Sequence, residues 1–279
     1  MDKLEPIPAK SVSSLRDLYK NSTKNVLPYN LLDNYVRYRT IDSTFVDENF
    51  QIMCLNGDWS DGTFYLLNDN ELFFYTLNED QGRLRRLLAL FQFNQPSLYA
   101  SYTYLRHLSV LDTLPWRKIA VESTKFYHLP SWKALLMDTK APDGLHVTSL
   151  KAKDLDLTYE LYPYKHEVSF SHFQMFHRFN KTVAVYDDTN EELLGWCFLR
   201  QSNAFTALQV RKEHRRRGLG SVLVRNMAKL LAQEGKDSFA IVVDGNKASA
   251  KLFKSEGFEC IDRVFNVQVA PKSKILSKL

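Results

Sequence analysis

"RKEHRRRGLG", residues 211–220, places five lysines and arginines in seven positions and then relaxes into two glycines. Such a run can be a solvated basic patch, a nucleic-acid contact or a cradle for one anion, and its neighbours decide. Before it, "AFTALQV", 204–210, reads as a strand. After it, Leu219, Leu223, Met227, Leu230 and Leu231 form one apolar stripe at helical spacing, which Gly235 is placed to end. The run is therefore the turn from a strand into a helix. A helix start presents unpaired N–H groups and partial positive charge. Gly218, Gly220 and Ser221 are small enough to admit an anion to the backbone, and the preceding arginines add attraction and phosphate contacts. A diphosphate fits this construction. Other phosphate motifs fit worse, because no GxxxxGK string occurs and only the first GxG of GxGxxG is present.

The rest of the composition narrows the reading. The net charge of +5 falls wholly in residues 141–279, since residues 1–140 hold 16 basic and 16 acidic side chains. That predicts a basic site rather than a basic surface, and argues against nucleic acid as a partner. No apolar run approaches the roughly 20 residues needed to cross a bilayer, and "MDKLEPIPAK" resembles neither a secretory signal nor a transit peptide. Cys54, Cys197 and Cys260 are far apart with no CxxC pair, so we expect no disulfide framework, no thiolate metal site and an intracellular, cytoplasmic setting.

The turn at 138–146, with Pro142, Asp143 and Gly144, separates two patterned regions and predicts domains at 1–140 and 145–279. In the first, "VSSLRDLY" reads as a helix, and "FQIMCL", "TFYLL" and "LFFYTL" as strands around the turn-rich "NGDWSDG". "GRLRRLLALF" sets Leu84, Leu87, Leu88 and Phe91 on one helical face, and Trp59 and the tyrosines read as packing. In the second, a strand at 145–150 and a helix from Lys153 to about Tyr162 precede a hairpin, 182–186 and 193–199. Strand 204–210, the helix from Leu219, strand 239–243, a helix capped by Asn246 and ended near Gly257, and a long last strand complete the order.

With these elements in place, Val210, Arg215, Gly218 and Gly220 resemble motif A of the GNAT acyltransferase superfamily, a strand ending in Val followed by Q/R-x-x-G-x-G/A at a helix start. Asn246, Ser249, Leu252, Phe253, Gly257 and Phe258 resemble its motif B. The length, the "GDWSDG" turn and "LLGWCFL" before the motif-A strand are similar to the glycine N-acyltransferase-like branch. The resemblance implies an α/β (α+β) GNAT fold with a mixed, mostly antiparallel sheet, preceded by a degenerate GNAT-like α/β domain.

It also implies an acyl-CoA or acetyl-CoA co-substrate, no metal, and transfer of the acyl group to the amine of a small acceptor such as glycine or another amino acid. Leu208, Gln209, Val210, Arg215, Arg216, Arg217, Gly218, Leu219, Gly220, Ser221, Asn246, Ser249 and Phe253 would bind the donor. The diphosphate would rest on the helix start, the pantetheine arm would pair with strand 208–210, and an N–H near Val210 would serve the oxyanion. Glu213 is the candidate base, with counter-ion to its basic neighbours as the competing role; Asp244 and His214 are lesser candidates. Phe253 stands where many members have an acid tyrosine, so Ser249 or water would protonate the thiolate, or it leaves unaided, or catalysis is weak or absent.

His166, His172 and His177 are spaced by six and five, which does not suit a helical metal site. Their segment falls where the superfamily sets acceptor choice, with Tyr162, His166 and Phe170 as candidate wall residues. The competing functions are a protein or peptide N-acetyltransferase, a CoA-binding module without catalysis, and a nuclear-targeting or nucleic-acid patch at 211–217. Oligomeric state stays open.

Overall fold

The computed structural model describes residues 1–20 and 22–272. The chain opens with β1 (Leu4–Pro6), α1 (Val12–Leu18), α2 (Val26–Ile41) and α3 (Ser43–Asn49). There follow β2 (Phe50–Leu55), β3 (Phe64–Asn68), β4 (Glu71–Tyr75), α4 (Gly82–Ala89), β5 (Leu98–Tyr104) and α5 (Leu105–Asp112). The long β6 (Trp116–Leu129) leads to α6 (Ser131–Leu135), β7 (Leu145–Thr148), α7 (Leu155–Glu160) and α8 (Phe170–Phe179). The remainder is β8 (Thr182–Asp187), β9 (Leu193–Leu199), β10 (Ala204–Val210), α9 (Leu219–Ala232), β11 (Ser238–Val243), α10 (Lys247–Ser255) and β12 (Glu259–Pro271).

Two compact units result: Met1–Thr124 with the chain from Arg263, and Lys125–Asp262. They do not follow the 1–140 and 145–279 division that the turn at 138–146 suggests. That turn belongs to the second unit because α9 holds it there: Asn226 donates to the Thr139 carbonyl and Lys229 to that of Met137, each at 3.0 Å. The last strand contributes to the first unit because its residues Val264–Val269 pair antiparallel with β5.

In the first unit the strand order is β1-β2-β3-β4-β5-β12-β6. Neighbours from β1 to β4 are antiparallel, while β4 and β5 are parallel. Every residue of β3 and β4 is buried, as expected of strands covered on both faces. Tyr65, Leu67, Leu72 and Phe74 meet Leu84, Leu87 and Leu88 of α4 and also Phe91, the stripe expected from sequence. On the other face Phe64 meets Tyr19, and Phe50 meets Tyr35 and Tyr38. Each fully buried side chain of this size contributes about 1.5–3 kcal/mol.

In the second unit the order is β12-β6-β11-β10-β9-β8-β7. From β7 to β10 neighbouring strands are antiparallel, while β10 and β11 are parallel. Leu219, Leu223, Met227 and Leu231 of α9 pack on Val183, Val185, Leu194 and Cys197. Leu230 departs from the expected stripe and is 37% exposed, because it lies off the i, i+4 row of the other four. The opposite face of the hairpin carries Phe198, which packs at 4.8 Å on Phe173 of α8. The three cysteines are free thiols, and no helix among the described residues is long and apolar enough to cross a membrane.

Candidate functional site

The site begins with a parallel strand pair that comes apart. β10 and β11 pair at Ala204–Phe239 and Phe205–Ala240. Toward β9 the register shifts between Thr206 and Gln209, and Ala207 there takes a left-handed φ of 47°. This bulge bends β10 away. Gly195 on β9 makes room for the bent strand, since a Cβ there would stand 2.9 Å from the Gln209 carbonyl oxygen. Residues 208–210 thus offer an edge on which β11 no longer bonds.

The basic run follows at once. A short 3-10 turn spans Lys212–His214, and the Arg215 guanidinium folds back to donate to the Val210 carbonyl at 3.1 Å. Arg216 and Gly218 then adopt φ of 63° and 79°. Such alternation turns successive N–H groups inward as an anion-binding concavity. Gly218 is also the N-cap of α9, so the amides of Leu219 and Gly220 precede any intrahelical acceptor. No cap side chain blocks them.

Between this turn, the freed edge of β10 and the start of α10 lies a cavity of about 420 Å³. Ten of the residues expected to bind the donor line it: Leu208, Gln209, Val210, Arg215, Arg216, Gly218, Leu219, Gly220, Ser221 and Ser249. Leu252, which the sequence places in motif B but not among the donor-binding residues, also lines it, as does Ala248. Three expected residues lie elsewhere. Arg217 donates to His214 Nδ1 at 3.1 Å, Asn246 caps α10 by accepting from the Ser249 amide at 3.1 Å, and Phe253 is buried among Phe205, Phe258 and Tyr127. Among the described residues, neither Arg215 nor Arg216 forms an ion pair with a carboxylate.

The candidate acid–base groups are less well placed. Glu213 does not line the cavity; its side chain is half exposed and pairs with Arg211 at 2.7 Å. Its own backbone amide and the Arg211 charge hold its carboxyl below the usual range. A base needs the opposite shift. His214 is engaged by Arg217, and Asp244 pairs with Lys125 at 3.6 Å. Ser249 does line the cavity, and Phe253 offers no proton. Ligand atoms of Glu192, Glu213 and His214 come within 4.8 Å of one another. Arg211 bridges the two carboxylates, at 2.5 Å and 2.7 Å, so a guanidinium supplies the positive charge there.

On the opposite face, Tyr162 is buried against Tyr164 and Phe173, and Phe170 packs on Tyr159. His166 is exposed and faces Glu167. His172 is buried and His177 bonds the Leu150 carbonyl, so the three histidines do not converge.

The first unit repeats the parallel strand pair but follows it with an acidic turn. β4 and β5 pair in parallel at Glu71–Tyr99 and Leu72–Ala100. The turn into α4, however, carries Glu79 and Asp80, and Asp80 already accepts the Gly82 amide at 3.0 Å.

The FR47-like protein family model matches residues 182–267, which contain both motifs. No curated protein matches the sequence. Among solved structures, a Drosophila protein is similar over 98% of this chain and 100% of its own, at 22% identity and a TM-score of 0.85. A tandem GNAT protein from the clavulanic acid biosynthesis pathway aligns over 96% and 98%, at 13% identity and 0.61. A GCN5-related N-acetyltransferase from Sphaerobacter thermophilus aligns over 96% and 95%, at 11% identity and 0.55. The chain has a two-domain GNAT fold.

Proposed function

We propose that this chain is an acyl-CoA-dependent N-acyltransferase that acts on a small amine, in the manner of the glycine N-acyltransferase-like branch. Its second unit would hold the donor and its first unit would be a degenerate partner of the same ancestry. One observation carries the reading. The left-handed Arg216 and Gly218 turn opens into the cavity where β10 leaves β11, with Arg216 beside it. A diphosphate suits the first feature and an amide-rich arm suits the second.

Bound acyl-CoA supplies an activated thioester carbonyl. The amides of Leu219 and Gly220 and the Arg216 charge hold the diphosphate end. The edge 208–210 aligns the arm, and an N–H near Val210 stabilises negative charge on the carbonyl oxygen. Holding the amine beside it supplies much of the rate. Glu213 acts as counter-ion to Arg211, so the amine enters already neutral. As the C–N bond forms and the C–S bond breaks, the nitrogen sheds its proton to water; with a thiol reference pKa of about 8.5, the thiolate leaves unaided or receives that proton through water or Ser249.

Thermal stabilisation by acyl-CoAs of graded chain length tests the donor, and mass spectrometry of products from pooled amino acids and amines tests the acceptor. No stabilisation by any acyl-CoA would sink the reading. Stabilisation without any product would favour a CoA-binding module, the second reading that Phe253 and the low-lying Glu213 carboxyl support.

A further inference from the structure

Leu208 and Val210 of β10 pack toward α9, so Gln209 between them faces the other side of the sheet. There its Nε2 donates to the Leu161 carbonyl at 2.8 Å. Leu161 is the C-cap of α7, whose final carbonyls have no intrahelical donor. Residues 161–169 then run to α8. Within them the Tyr159 hydroxyl donates to the carbonyls of Lys165 and Val168 at 3.2 Å and 3.0 Å, and Lys165 pairs with Glu160 at 3.0 Å. The loop is thus fastened to α7 through Tyr159 and Glu160, and to β10 at its near end.

Gln209 therefore lines the donor cavity while its side-chain amide bonds the loop that carries Tyr162 and His166. We propose that Gln209 is a positioning residue that couples the two sides, so that filling the donor site orders the acceptor loop. This rests on the acyl-CoA reading and adds the order and the coupling. An arm paired along 208–210 removes backbone freedom at Gln209, and the side chain then holds Leu161 at a smaller entropic cost. By linkage, the acceptor tightens the donor by the same factor as the donor tightens the acceptor.

Hydrogen exchange of the full chain, with coenzyme A itself as the probe, reads this directly. In the wild type, CoA should slow exchange in 211–221 and, by about fivefold, in 161–169. Gln209→Ala should keep the first effect and lose the second. Gln209→Glu, whose carboxylate cannot donate, should behave as Gln209→Ala. Where an acceptor is found, Gln209→Ala should raise its KM about fivefold with little change in kcat. If CoA slows 211–221 but leaves 161–169 unchanged in the wild type, or if loop protection survives in both variants, the coupling is wrong. If CoA slows neither segment, the donor reading fails and takes this proposal with it.

Discussion

Phe253 lies against Tyr127 with ring centroids 6.4 Å apart and planes 24° from parallel. Phe205 and Phe258 close the cluster at 5.9 Å and 5.1 Å. At 4% exposure Phe253 is a core residue holding α10 to the sheet. Phe253→Ala should cost about 3–5 kcal/mol of stability by urea titration. Phe253→Tyr should cost about 1–3 kcal/mol, because its hydroxyl would be buried without a ready partner. It should not raise turnover; a gain in kcat in Phe253→Tyr would mean that this position does reach the leaving sulfur.

Gly218 separates strain from space. Nothing lies within 4 Å of a Cβ added there, yet its φ of 79° disfavours any other residue. Gly218→Ala should cost about 1 kcal/mol and misalign the first amides of α9. Acyl-CoA affinity, by calorimetry, should drop about tenfold, or 1.4 kcal/mol. Arg216→Ala should drop it similarly in dilute buffer and much less at about 1 M salt, where the Debye length is near 3 Å. Affinity that ignores both changes would place the diphosphate elsewhere.

Much of the second unit was legible because local signals agree there. The glycines, the stripe of Leu219, Leu223, Met227 and Leu231, and the Asn246 cap all mark the same boundaries. The lining of the candidate cavity is legible for the same reason; Arg217, Asn246 and Phe253 lie outside it, their side chains taken up by His214, a helix cap and the core. Helix α2 is not legible in the sequence because its buried set includes Asn30 and Asn34, which break the apolar stripe. The α8 helix is masked by its two histidines, His172 and His177, although Ser169 caps it by accepting from the His172 amide at 3.1 Å. Nothing in the sequence tells that β12 pairs with β5, since that is a contact across more than 160 residues. The bond from Gln209 to Leu161 is likewise tertiary, and no local pattern announces it.

His107 makes the first unit sensitive to acid. It is fully buried beside Gln81 and Arg106, and burial, then the Arg106 charge, push its pKa down to about 3. The unfolded chain binds this proton near pH 6.5, whereas the folded chain refuses it until near pH 3. Its contribution is therefore complete above about pH 6.5 and is lost as pH falls, by up to about 1.4 kcal/mol per unit. Urea midpoints at pH 7.5 and pH 5 should differ less in His107→Gln than in the wild type. Equal losses in both would show that the histidine is not held neutral.

Glu213→Gln tests the counter-ion reading. If the carboxylate only balances Arg211, the variant should keep kcat within about threefold and bind acyl-CoA slightly more tightly, because one like charge near the phosphates is gone. Below the acceptor's own pKa, kcat/KM should rise about tenfold per pH unit in both proteins, as it does when only the neutral amine reacts. A drop of about a hundredfold or more in the variant, with loss of that common slope, would restore Glu213 as the base.

The two parallel pairs, β4 with β5 and β10 with β11, raise the question of one donor per chain or two. Both pairs join at two positions, but only the second is followed by a basic turn with free helix amides. In the first, Glu79 and Asp80 repel a diphosphate, and the Asp80 carboxylate already takes the Gly82 amide that an anion would need. Calorimetry should give one acyl-CoA per chain. Gly218→Ala together with Arg216→Ala should remove most of that single event, and Asp80→Asn should add no second one. A stoichiometry near two, or a residual site of undiminished affinity in the double variant, would show that the first unit binds donor after all.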